Sequence, residues 1–118
     1  MPNPVVSWQI IARDPNATAS FYKDLFGWHT SQSNALGYRE VRTDAGGIDG
    51  GIWPAPPQLE RPFVQLFVQV DDVTAYAAKA QSLGATIIVP VSVLPDGNSM
   101  AVLHDPAGMA FVVCSKPV

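Results

Sequence analysis

Residues 5–28 read VVSWQIIARDPNATASFYKDLFGW, and residues 63–85 read FVQLFVQVDDVTAYAAKAQSLGA. Each stretch begins with strict alternation. Val6, Trp8, Ile10 and Ala12 share one face of the first run, while Val5, Ser7, Gln9 and Ile11 share the other. In the second run Val64, Leu66, Val68 and Val70 oppose Phe63, Gln65, Phe67 and Gln69. A period of two marks a strand, here with one apolar and one mixed face. Each strand then meets an acid suited to a helix N-cap: Asp14, with Pro15 at the first helical position, and Asp71-Asp72. Ala17, Phe21, Tyr22, Leu25 and Phe26 recur at helical spacing, as do Val73, Tyr76, Ala77, Ala80 and Leu83. Gly27 and Gly84 stop the two helices, because glycine takes the left-handed conformation at little cost.

Outward from these stretches the pattern stays parallel. Trp28 to Gln32, Gly37 to Thr43 and Ile48 to Trp53 read as short strands, punctuated by Asn34, Gly37 and Asp44-Ala45-Gly46-Gly47. Ala85 to Val93, Ser99 to His104 and Met109 to Cys114 follow the second helix, with turns at 95–98 and 105–108. A stiff connector rich in proline, residues 54–62 with Gln58 to Arg61 at its centre, joins the two patterns. The order strand, helix, three strands therefore occurs twice, in modules at about 5–53 and 63–114. This predicts an α+β chain of two βαβββ modules. Neither module alone buries enough surface to be stable, so residues 1–118 are expected to form one domain.

Composition narrows the function classes. Hydrophobic residues make up 47% of the 118 and charged residues 14%, which is globular rather than disordered. With seven Lys and Arg and a formal charge of −3, there is no basic stripe to displace counterions from nucleic acid. No apolar run approaches a membrane span, and residues 1–4 lack the features of a secretion signal. Cys114 is the sole cysteine, so neither an intrachain disulfide nor a cysteine-based zinc site can form. The expected setting is cytoplasmic.

Three motifs carry a resemblance. ARDPNATASFYKDLFGW and VQVDDVTAYAAKAQSLGA look like the two strand-to-helix passages of the glyoxalase/bleomycin-resistance/extradiol dioxygenase (vicinal oxygen chelate) superfamily. LHDPAGMAFVV looks like its last hairpin, where Asp-Pro-x-Gly-Asn precedes an apolar-acid-apolar triplet. The resemblance covers nearly the whole chain. It implies a curved mixed sheet with a concave cup, in which four residues, usually His and Glu, hold a divalent metal. Matching by motif puts three of those positions on Ser7, Gln65 and Val112, and the fourth near Gly51 to Trp53. Val112 cannot ligate a metal, and neutral Ser and Gln oxygens are weak donors beside imidazole or carboxylate. No cofactor is therefore expected, and the superfamily's metal chemistry would lose its Lewis acid.

The resemblance also implies what replaces it. Ser7, Gln9, Ile11, Trp53, Gln65, Phe67, Gln69 and Val112 are expected to line the cup, an amide and aromatic surface suited to a small organic molecule. The plainer alternative is a face filled by side chains or by a partner chain. Ser7, Gln9, Gln65 and Gln69 favour the open cup, since a buried polar group without a partner costs roughly 1–3 kcal/mol. Phe67 and Trp53 are expected to matter more for binding than for stability. Asp49 could enter the cup as a lone base, but Asp49-Gly50 reads better as a turn. His29 and His104 fall on no ligand position, and Cys114 reads as a core residue.

The expected function is thus metal-free binding of a small organic molecule in a homodimer whose cups are completed across the interface. The alternatives are a metal-dependent or acid–base lyase, dioxygenase or isomerase, and an interaction-only fold. Emission spectroscopy on the purified protein should find no stoichiometric zinc, nickel, iron or manganese. One tightly held metal per chain, with Ser7 or Gln65 among its ligands, would overturn the metal-free reading.

Overall fold

The computed structural model describes residues 2–32, 37–58 and 61–116. The elements are β1 (Val5–Ala12), α1 (Pro15–Phe26), β2 (His29–Thr30), β3 (Arg39–Arg42), β4 (Gly50–Pro54), β5 (Phe63–Gln69), α2 (Val73–Ser82), β6 (Thr86–Val93), β7 (Ser99–His104) and β8 (Ala110–Cys114). The α+β class and the twice-repeated βαβββ order are as the sequence predicts. β2 and β3 are shorter than expected. The turn expected at Asn34 lies outside the described residues, as do Leu59 and Glu60 of the connector.

Two compact units divide the chain: residues 7–64, and residues 1–6 with 65–118. The opening residues of β1 therefore group with the second module rather than the first. There Gln69 N–H donates to the Pro4 carbonyl at 3.0 Å, and Val6 packs on Phe67, Val112 and Cys114. In the first unit the strands run β2-β3-β4-β1, and in the second β5-β8-β7-β6. β1 and β4 are parallel, as are β5 and β8, while the remaining pairs within each unit are antiparallel.

Local chemistry explains the helices. The Asp14 carboxylate accepts from Ala17 N–H at 3.1 Å, and Gly27 closes α1 at φ 73° with its N–H on the Lys23 carbonyl. Asp72 caps α2 in the same way through Ala75 N–H at 3.0 Å. Each cap satisfies a backbone donor that the helix itself cannot.

The helices lie on the apolar faces named by the alternation. Ala12, Ala19, Val41 and Ile52 form one core, with Trp8, Ile10 and Trp28 packed against it. Val70, Val73, Ala101, Leu103 and Val113 form the core under α2. The amphipathic stripe of α1 is less buried than its spacing suggests. Only Ala19 is fully buried, whereas Phe21, Leu25 and Phe26 are more than half exposed. The Phe21 and Phe26 rings instead join Tyr22 and Trp28 in an aromatic cluster with centroids 5.1 to 6.1 Å apart. On β5, likewise, Val64 and Leu66 remain about half exposed although Val70 is buried.

β4 carries two adjacent glycines. Trp8 lies across Gly50, where a methyl group would collide with the indole and with the Trp8 carbonyl. The indole N–H donates to the Ile48 carbonyl at 2.8 Å, which locks it there. Gly50→Ala should therefore destabilise the protein by about 1–3 kcal/mol, the usual cost of overpacking, read from the urea midpoint. A change within about 0.5 kcal/mol, as at an ordinary surface site, would show that Trp8 moves aside freely.

Candidate functional site

The mixed face of the first unit is built from β1, β3 and β4. Gln9 pairs with Gly51 and Ile11 with Trp53, while Glu40 opposes Gly51 from the other side. Directly paired residues project to the same face, so Gln9, Glu40 and Trp53 share one. Tyr38, two residues before Glu40, shares it too, and its ring lies over Gly51, where any Cβ would strike the phenol. The Tyr38 and Trp53 rings are 4.7 Å apart at 36°.

Polar contacts hold this arrangement. The Gln9 side chain is buried and hydrogen-bonded to the Tyr38 hydroxyl. Burial pushes the Tyr38 pKa up, the nearby Glu40 charge adds to the rise, and the Gln9 bond partly offsets it. Ser7 is buried, and its hydroxyl donates to the Asp49 carbonyl at 3.2 Å. The Asp49 carboxylate accepts from Thr43 N–H at 3.0 Å, closing the 43–49 loop, so its side chain serves the turn. Beside this face His29, Arg42, Asp44, Ala45 and Asp49 line a hollow of about 350 Å³. On the helix side of β1 a second hollow, of about 420 Å³, lies between Arg13, Thr18, Phe21 and Pro62.

The mixed face of the second unit is different. Phe67 is 1% exposed and Val112 0%; they pair across β5 and β8 and pack with Cys114, Met100 and Val102. Phe67 is thus core here, and the expected open stacking surface at this position is not what the second unit presents. Gln65 is buried, and Gln69, partly buried, donates to the Ser115 carbonyl at 3.4 Å. Burial raises the Cys114 pKa, and the thiol points to the Val68 carbonyl at 3.6 Å, which fits a core residue.

Ser7, Gln9 and Gln69 therefore have protein partners, and their polarity does not by itself require water or a ligand. The metal positions implied by the resemblance do not suit a metal either. The Ser7 hydroxyl is engaged, Val112 is apolar, and Gly51 offers no side chain beneath Tyr38. Among the described residues no three His, Cys, Asp or Glu side chains converge on a common metal position. His29 and His104 lie on separate strands, β2 and β7, in different units.

Tyr38 and Glu40 are the residues that sequence reasoning missed. Their signal was available: Tyr38, Glu40 and Arg42 alternate with Arg39 and Val41. What could not be read was the register that sets Glu40 opposite Gly51.

Comparison with known proteins places this geometry. A family described as glyoxalase-like domain matches residues 6–114. The CFP32 protein of Mycobacterium bovis, provisionally named a glyoxylase, is 30% identical over 108 residues, covering 89% of this chain and 41% of its own. The Streptomyces peucetius anthracycline biosynthesis protein DnrV is 31% identical over 125 residues, covering 89% of this chain and 44% of its own. The chain thus spans about two fifths of the length of these relatives. A Streptomyces coelicolor methylmalonyl-CoA epimerase structure superposes with a TM-score of 0.64 at 20% identity, covering 97% of this chain and 94% of that one. That likeness is one of fold.

Tyr38 yields a test of the local geometry. With its folded-state pKa raised, Tyr38 keeps its proton after the unfolded chain has released its own. The stability linked to it is present in full below about pH 10 and is lost as pH rises through the folded value. Tyr38→Phe should remove the latest phenol step from an absorbance titration and reduce the alkaline loss of stability. An unchanged titration curve would show that Tyr38 is not shielded.

Proposed function

Since this chain belongs to the glyoxalase-like domain family, we propose that it is a metal-free binding domain for a small organic molecule, held chiefly on the mixed face of its first module. The observation that carries this reading is the Tyr38–Trp53 ring pair over bare Gly51, with the phenol bonded to buried Gln9. Two partly buried rings on a rigid sheet offer stacking surface, and the amide and hydroxyl offer orienting hydrogen bonds. Ser7 and Gln9 support this face from below. Gln65 and Gln69 are the polar groups of the second module, and Phe67 and Val112 contribute packing.

The assembly proposed with it is a two-fold homodimer. A second copy would cover apolar side chains that are exposed in the single chain, among them Phe21, Leu25 and Phe26 on α1. A cytoplasmic setting goes with the lone buried thiol, and no helix among the described residues is long and apolar enough to cross a membrane.

A second reading, acid–base catalysis without a metal, draws on the same pair. A phenol of raised pKa beside the Glu40 carboxylate could pass a proton to and from a bound substrate. It predicts turnover, and the binding reading predicts stoichiometric capture.

A screen of small aromatic and amide-containing molecules by backbone amide chemical shifts distinguishes binding from an inert fold. Shifts should gather on Gln9, Tyr38, Gly51 and Trp53, and Trp53→Ala should abolish them without unfolding the protein. Phe67→Ala, by contrast, should cost about 3–5 kcal/mol in urea unfolding, as for a buried aromatic. A screen that moves none of the four residues at millimolar concentration would leave the interaction-only reading in place.

A further inference from the structure

The face that carries Tyr38 and Trp53 also carries an uncompensated negative charge. Glu40 is exposed, projects from β3 on the same side as Tyr38, and opposes Gly51. Among the described residues it forms no ion pair. Its charge is close enough to contribute to the shift of the Tyr38 phenol.

Neither of the two arginines of β3 is paired with it. Arg42 shares the parity of Tyr38 and Glu40, but it lines the adjacent hollow together with Asp44 and Asp49. Arg42 there faces two carboxylates, Asp44 and Asp49. Arg39 projects to the opposite side, paired with Ile52. A ligand approaching the Tyr38–Trp53 rings therefore meets aromatic faces flanked by carboxylates. Both attract positive charge: ring faces through their quadrupole, and carboxylates through Coulomb attraction.

We infer that this site selects planar organic molecules bearing a cationic amine, with the ring system stacked on Trp53 and Tyr38 and the ammonium directed to Glu40. The inference rests on the binding reading above and adds the ligand's charge and shape. A neutral ring would use the stacking surface alone. An anionic ring would meet repulsion from Glu40, Asp44 and Asp49.

Three acridines share one ring system and separate these terms: cationic 9-aminoacridine, neutral acridine and anionic acridine-9-carboxylate, all at mildly alkaline pH. Titrated calorimetrically against the intact protein, the cation should bind on the order of tenfold more tightly than acridine, and the carboxylate more weakly than either. Glu40→Gln should erase most of the cation's advantage while leaving acridine unchanged. Trp53→Ala should weaken both. Rising salt should weaken the wild-type protein's hold on the cation but not on acridine, a readout that needs no variant to fold. Equal affinity for cation and acridine, or an advantage that survives Glu40→Gln, would overturn the charge assignment while leaving the binding reading intact. Failure of all three acridines would overturn the planar-cation class, and the amide-shift screen would then decide separately whether the face binds small molecules.

Discussion

Two adjacent glycines on one strand let aromatic rings lie flat on both sides of it. Gly50 faces the helix side and accepts the Trp8 indole; Gly51 faces the other side and accepts the Tyr38 phenol. Successive residues of a strand point to opposite faces, so neighbouring glycines clear one space on each. A single Cβ at either position would meet a ring. The helix-side core and the candidate site of the first unit are thus tied to the same few atoms of β4. Trp8, fixed by its bond to the Ile48 carbonyl, packs against the core of Ala12, Ala19, Val41 and Ile52. Tyr38, fixed by Gln9 and by Trp53, shapes the opposite surface.

The two modules share an order of elements but use their mixed faces differently. In the second, β5 and β8 place Phe67, Val112 and Cys114 side by side, and the face closes on apolar side chains. In the first, β1, β3 and β4 place Gln9, Tyr38, Glu40 and Trp53 together, with the Gln9 amide buried, the two rings partly buried and the Glu40 carboxylate exposed. Duplication of a unit frees one copy to fill its mixed face with apolar side chains while the other keeps polar and aromatic groups there. The same division accounts for the unsuited metal positions. Val112 serves a core, and Gly51 has been given to a ring.

Exposed apolar residues mark surfaces that the described residues leave open. Phe21, Leu25 and Phe26 on α1, and Ile88, Val89, Val91 and Val93 on β6, are each at least a third exposed. β6 ends the strand order of its unit, and its ladder with β7 shifts register twice around Pro90. Proline and bulges discourage open-ended strand pairing at a sheet edge. That edge is therefore better suited to being covered by side-chain packing than to being extended by another strand.

The sequence by itself determined the repeated βαβββ order, both capped helices and the face to which each residue of β1 and β5 belongs. These are local matters: alternation, an acid at a helix start and a glycine at its end report their own backbone whatever surrounds them. Only the tertiary structure decided which faces stay open. The alternation grouped Phe67 with Gln65 and Gln69, but its place in a core with Val112, Cys114, Met100 and Val102 depended on which strands lie beside β5. The stripe on α1 read as a buried face, yet small Ala19 makes the close approach and the larger rings spread into a cluster of their own. Tyr38 and Glu40 became site residues through pairing with β4, a register that no local pattern encodes because it is set by which strands meet.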